Sequence, residues 1–152
     1  MAANGRKQVM LSYNSDSREI VSEVYDMLME AGITTWMDVK GGMGDKSNSS
    51  MAKAVEDAEV VCCFMTENYQ KSKPCEKELT YAENLGKRII PCVLVDKHVW
   101  KPNDWLGIIT SGLQYVNFSK TTKANRRAKV NELIARIKTQ AVPPVPAAPY
   151  PQ

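Results

Sequence analysis

Three carboxylates, Glu76, Glu78 and Glu83, share one helical segment, Cys75–Leu85, which lies between a polar stretch and an apolar strand-like run. A carboxylate at the start of such a helix lies near the carboxyl edge of an open α/β sheet, where it can face the ligand crevice. Helix carboxylates otherwise solvate the surface, and near the helix start they complement its dipole. Glu78 is expected in the first turn, one residue before the inward Leu79, which puts it at the crevice edge. A second chemical feature is Gly41-Gly42-Met43-Gly44-Asp45-Lys46-Ser47, which leads into a helix. Its backbone N–H groups can cradle an anion. The GxxxxGK[ST] spacing of a Walker loop is absent, and a plain connector using glycine's freedom is the simpler reading. His98 is the lone histidine, and Cys62, Cys63, Cys75 and Cys92 show no CxxC spacing, so no metal site is expected.

The elements that must position these groups follow from hydrophobic periodicity. Gln8–Tyr13 reads as a strand ending in polar residues. Asp16-Ser17-Arg18-Glu19 has the spacing of a capping box. Ile20, Val21, Val24, Met27, Leu28 and Ala31 then recur at helical intervals up to Gly32. Ile33–Met37 is β-branched and aromatic, a second strand. After the Asp38–Ser47 loop, Asn48–Ala58 reads as a helix with Met51, Ala54, Val55 and Ala58 inward. Glu59–Met65 is apolar almost throughout, as in a central strand covered on both faces. Thr66–Pro74 reads as a polar loop. In the helix that follows, Cys75, Leu79, Ala82 and Leu85 are inward. Arg88–Val95 is a fourth strand, although Pro91 cannot donate to a ladder. Trp105–Ser111 is a short helix, Leu113–Phe118 a fifth strand and Thr122–Thr139 a final amphipathic helix.

Alternating strands and helices imply parallel pairing with right-handed crossovers. The expected fold is α/β and flavodoxin-like, a five-stranded parallel sheet in the order 2-1-3-4-5 with helices on both faces. Ligands then bind beyond the carboxyl ends of the strands, near Tyr13 to Asp16, Asp38 to Ser47, Thr66 to Pro74, and from Asp96 onward. A receiver domain is disfavoured, because strand three ends Met65-Thr66-Glu67 rather than in aspartate. A flavin site lacks a glycine in the first loop.

The chain has 152 residues, 43% of them hydrophobic, which fits one domain with a real core. A net charge of +3 with no basic stripe argues against a nucleic-acid partner. No apolar run approaches the roughly 20 residues of a membrane span, and the start has no apolar signal region. Three of the four cysteines sit in apolar runs as small hydrophobes, which favours a reducing, cytoplasmic setting. Residues 1–6 are expected to be a flexible N-terminus and 7–140 the folded domain. Residues 141–152, with five prolines between Val142 and Pro151, read as a linker or tail.

Taken in order, these motifs resemble a TIR (Toll/interleukin-1 receptor) domain over about residues 7–138. The resemblance rests on Val9-Met10-Leu11-Ser12-Tyr13, on Trp36-Met37-Asp38, and on Met51 to Ala58 (MAKAVEDA). It rests also on Ser72 to Leu79 (SKPCEKEL) and on Arg88-Ile89-Ile90-Pro91. The phrasing is most similar to invertebrate TIR modules. The resemblance implies strand four contains the family's "IIP" run, which accommodates Pro91. It implies homotypic association with other TIR domains through the BB loop, here Val39, Lys40, Gly41, Gly42, Met43, Gly44 and Asp45, running on to Ser47.

For the members that cleave NAD⁺ at the nicotinamide–ribose bond, the resemblance implies Glu78 as the catalytic carboxylate. It implies substrate contacts from Tyr13, Asn14, Asp38, Gly44, Lys46, Ser47 and Pro74, with NAD⁺ as substrate rather than cofactor. Breaking that bond builds positive charge on the ribose, which a carboxylate stabilises. The chain departs from many such members at Pro74, where they carry tryptophan, and at Asn14 and Ser15, where some carry arginine. The alternative is a non-catalytic module that templates other TIR domains.

Overall fold

The computed structural model describes residues 8–38 and 48–139. The expected flexible N-terminus, the glycine-rich loop from Val39 to Ser47 and the proline-rich tail lie outside the described residues. Five parallel strands form the sheet: β1 (Gln8–Ser12), β2 (Thr35–Trp36), β3 (Ala58–Met65), β4 (Arg88–Val93) and β5 (Val116–Asn117). Their order is β2-β1-β3-β4-β5, the flavodoxin-like arrangement. The helices are α1 (Arg18–Glu30), α2 (Asn48–Asp57), α3 (Glu67–Lys71), α4 (Lys73–Asn84), α5 (Asp104–Thr110) and α6 (Arg126–Lys138).

Strand alternation sorts the core into two layers. Val9 and Leu11 of β1, with Cys62 and Phe64 of β3, pack with Val21, Val24 and Leu28 of α1 and Val130 and Leu133 of α6. Met10, Val61 and Cys63 face the other way, onto Ala54 and Val55 of α2, Tyr69 of α3, Leu79 and Ala82 of α4 and Leu106 of α5. β3 is buried on both faces, and each fully buried large side chain such as Phe64 contributes about 1.5–3 kcal/mol. The period of two puts Ser12 on the same side as Met10, toward α4. β1 has β2 on one side and β3 on the other, so the topological switch point lies between β1 and β3, where Ser12 pairs with Cys63.

Several local expectations change. The Thr66–Pro74 stretch is not a loop throughout: α3 occupies Glu67–Lys71, capped by the Thr66 hydroxyl, which accepts from the Tyr69 N–H at 3.0 Å. The next helix begins at Lys73, so Glu78 stands in its second turn rather than its first. Leu85 is 44% exposed, because it caps α4 beyond the last inward-facing turn. Ala31 at the end of α1 is exposed as well. Asp16 is not the side-chain cap of α1. A 3-10 turn, Ser15–Ser17, precedes that helix, and Asn14 caps the turn by accepting from the Asp16 N–H. β5 and α6 are shorter than the apolar pattern suggests. Pro91 lies inside a continuous strand and pairs with Cys63 of β3. On the other side the β5 ladder starts only at Cys92, so residue 91 has one neighbouring strand.

Candidate functional site

The switch point is built from the last residues of β1 and the first turns of α3 and α4. Ser72 caps α4, its hydroxyl accepting from the Cys75 N–H at 3.2 Å. Pro74 is exposed in the first turn, where its missing N–H leaves no intrahelical bond unmade. From there Cys75 turns inward and its thiol donates to the Tyr13 carbonyl at 3.5 Å. One turn further, Glu78 points the same way.

Glu78 is 8% exposed, among the few polar or charged side chains in the described core. Its Oε1 accepts from the Ser12 hydroxyl at 2.8 Å. Ser12 Oγ lies 2.7 Å from the Tyr69 hydroxyl. Tyr69 is fully buried, with its ring 6.3 Å from that of Trp105, whose indole N–H donates to the Gln70 carbonyl at 2.9 Å. Tyr13 donates its hydroxyl to the Asp38 carbonyl, which joins the end of β1 to the segment leaving β2. Burial raises the Tyr13 phenol above its ordinary range, and the Asp38 and Glu78 carboxylates add to this. Tyr69 is raised well above it, by burial first and then by Cys63, Cys75 and Glu78. Both phenols are therefore neutral donors near pH 7. The arrangement places a hydrogen-bonded carboxyl group at the carboxyl end of β1, backed by Ser12 and Tyr69.

Residues 9–134 match the family described as the TIR domain. The chain belongs to the TIR domain family. Among solved structures it is similar to the TIR domain of the Toll-related receptor TRR-2 from Hydra magnipapillata, with a TM-score of 0.64 and 20% identity over 86% of this chain and 98% of that one. It is also similar to the TIR domains of the activated Roq1 resistosome that directly recognises the pathogen effector XopQ, with a TM-score of 0.65 and 20% identity over 86% and 99%. A third similar structure is the CMP N-glycosidase BcmB of Clostridium botulinum, with a TM-score of 0.58 and 18% identity over 85% and 98%. No curated protein sequence matches the chain.

In this TIR domain the structure brings together Glu78, Tyr13 and Asp38 of the expected site. Asn14 stands beside them but spends its side-chain oxygen on the turn after β1. Pro74 is on the surface of the first turn of α4. Gly44, Lys46, Ser47 and the rest of the BB loop from Val39 to Asp45 lie outside the described residues. Ser12 and Tyr69 are the members of the site that sequence reasoning missed. The signal for Ser12 was a hydroxyl on the inward strand face that it shares with Met10, two residues earlier.

Cys62, Cys63 and Cys92 are buried, and burial pushes the Cys63 and Cys92 thiols far up, which leaves them inert packing groups. His98 is exposed in the loop after β4. Among the described residues no group of three or more His, Cys, Asp or Glu side chains could hold a metal ion, and no helix is long and apolar enough to cross a membrane.

Proposed function

We propose that this TIR domain cleaves NAD⁺ at the nicotinamide–ribose bond when assembled, with Glu78 as the carboxylate that stabilises the reacting ribose. The observation that carries this reading is the burial of Glu78 at the β1/β3 switch point with its Oε1 held by Ser12. In the reaction the bond from ribose C1′ to the pyridinium nitrogen breaks, and its electron pair leaves with neutral nicotinamide. Positive charge then develops at C1′ and the ring oxygen. A preorganised carboxylate in a water-poor site stabilises that charge. Water adds at C1′ and loses a proton to give ADP-ribose; closure by an adenine nitrogen instead gives the cyclic form. Because nicotinamide departs neutral, a single carboxylate suffices. The similar structure of BcmB is that of a CMP N-glycosidase, which supports cleavage of a bond between base and sugar on this architecture.

Self-association through the Val39–Ser47 loop completes the proposal. Another fold neighbour is described within an activated resistosome, which supports a TIR–TIR assembly as the working state. The remaining substrate contacts assigned to Tyr13, Asn14, Asp38, Gly44, Lys46, Ser47 and Pro74 belong to the same proposal. A second reading, a non-catalytic templating module, is favoured by Pro74, which presents no aromatic wall toward the ribose. Concentrated protein incubated with NAD⁺ and assayed for nicotinamide separates the two. Release that Glu78→Ala abolishes supports the glycohydrolase. No release at high concentration or under crowding leaves the templating module.

A further inference from the structure

We propose that Tyr69 and Ser12 form a directed hydrogen-bond chain that keeps Glu78 ionised and fixes the orientation of its Oε1. The inference rests on the reading of Glu78 as the site carboxylate, and it assigns positioning roles to two residues that the reading itself does not use.

The direction of the chain follows from counting protons. A serine hydroxyl has one hydrogen to give and lone pairs to receive with. Ser12 gives its hydrogen to Glu78 Oε1 at 2.8 Å. Its contact with Tyr69 at 2.7 Å must then run from the phenol to the serine oxygen. The reverse arrangement starts from a protonated Glu78 that donates to Ser12, which in turn donates to Tyr69. The Tyr69 proton would then need another acceptor. Among the described residues the phenol has no hydrogen-bond partner except Ser12, and Tyr69 is fully buried. A buried donor left unpaired costs free energy, so the chain runs in one direction, from Tyr69 through Ser12 to an accepting Glu78 Oε1, and such a bond is stronger to a carboxylate than to a neutral acid.

The surroundings reinforce this polarity. Burial by itself favours a neutral acid, and a hydrogen bond to the charged form, such as that from Ser12, favours the carboxylate. Among the described residues, the titratable groups that act on Tyr69 with Glu78 are Cys63 of β3 and Cys75 of α4, and those that act on Tyr13 with Glu78 are Asp38, Arg18 and Cys75. Tyr69, Cys63 and Tyr13 are all shifted toward their neutral, protonated forms. Tyr69 therefore stays a donor throughout the working pH range. It is anchored at both ends: its backbone N–H is held by Thr66, and its ring lies beside Trp105.

The test reads Glu78 directly. In protein carrying ¹³C-labelled glutamate, the side-chain carboxyl resonance of Glu78, assigned by its loss in Glu78→Gln, is followed through a pH titration. Tyr69→Phe removes one oxygen and keeps the ring, and Ser12→Ala breaks the chain at its middle. In both, Glu78 should titrate about one pH unit higher than in the parent. Ser12→Thr, which keeps the hydroxyl, should restore the parental titration. If the resonance titrates at the same pH in folded Tyr69→Phe and Ser12→Ala proteins, the chain has no such role, and the inference fails. The same proteins assayed for nicotinamide release keep the two readings apart. A shifted titration without any release overturns the glycohydrolase and leaves the hydrogen-bond chain standing. An unshifted titration with parental release does the opposite.

Discussion

Cys75 and Glu78 stand one helical turn apart on α4 and hold consecutive residues at the end of β1. The Cys75 thiol donates to the Tyr13 carbonyl at 3.5 Å, and Glu78 accepts from the Ser12 hydroxyl at 2.8 Å. Residues three apart lie on one helix face. The Cys-x-x-Glu spacing thus lets one face of α4 dock on the carboxyl end of β1, and Leu79 beside it fills the core beneath. The carboxylate is positioned by the contact that joins helix to sheet, so fold and site share the same atoms.

The first prediction separates those two roles. Glu78→Gln keeps an oxygen that accepts from Ser12, so stability should change by about 1 kcal/mol or less. The charge is lost, however, and nicotinamide release should fall about 100-fold or more. Glu78→Ala should lose activity as well, and it should also cost about 1–3 kcal/mol by leaving the buried Ser12–Tyr69 pair without its acceptor. Urea unfolding alongside the activity assay checks both. A glutamine variant that retains parental turnover would show that the charge of Glu78 is not used.

Acid stability should depend on Glu23. Hydrogen bonds from Lys123, at 2.8 Å, and from Arg126 hold its carboxyl below the usual range and tie α1 to α6. A carboxyl depressed in the folded state contributes stability above its unfolded value of about 4.3. That contribution disappears as pH falls through the lower folded value. Glu23 is 23% exposed and Arg126 12% exposed, so the pair is worth about 1 kcal/mol. Glu23→Gln should therefore be less stable than the parent by about that amount at pH 7, and the gap should narrow toward pH 3. Denaturant unfolding at the two pH values measures it. A gap equally wide at pH 3 would rule out an electrostatic origin.

Much of this architecture was legible in the apolar pattern, and the exceptions have physical reasons. The uninterrupted run ending at Met65 marked β3 as the central strand, and Met51, Ala54, Val55 and Ala58 all proved buried. Helix α3 was missed because Tyr69 is its one buried residue, so Glu67–Lys71 carries no periodicity; Thr66 as its cap was the available signal. The capping-box spacing of Asp16 and Glu19 misled because a 3-10 turn capped by Asn14 intervenes. Glu78 could not be told from a solvated carboxylate by local pattern, since its partner Ser12 lies 66 residues away in sequence. The family resemblance singled it out; the packing of α4 on β1 explains why it is buried.

Arg88 opens the Arg-Ile-Ile-Pro run, and its side chain has a structural task. The guanidinium donates to the carbonyls of Arg136 and, at 3.2 Å, Ile137 at the end of α6. These belong to the last carbonyls of the helix, which have no intrahelical partner. Burial lowers the guanidinium's affinity for its proton first, and Arg136 adds to this, yet arginine stays charged at any working pH. Arg88→Ala should cost about 1–3 kcal/mol. Hydrogen exchange should show the last turn of α6 losing protection before the strands do. Protection of α6 at the parental level would mean that the Val130 and Leu133 packing alone holds the helix.

Pro74 offers a gain-of-function test. It is exposed in the first turn of α4, where the backbone tolerates any residue because the first N–H groups are unpaired in the helix. Replacing it should leave the Ser72 cap and the inward pair of Cys75 and Glu78 in place. Pro74→Trp would add a flat aromatic surface at the crevice edge. An aromatic stacking contact is worth about 1 kcal/mol, so KM for NAD⁺ should fall about fivefold. The turnover number should stay within about twofold, because the carboxylate and its charge are untouched. A lower turnover number with unchanged KM would mean that the tryptophan disturbs Glu78 rather than forming a wall. Steady-state kinetics of nicotinamide release on parent and variant distinguishes the two, and an unaltered KM would place the ribose away from residue 74.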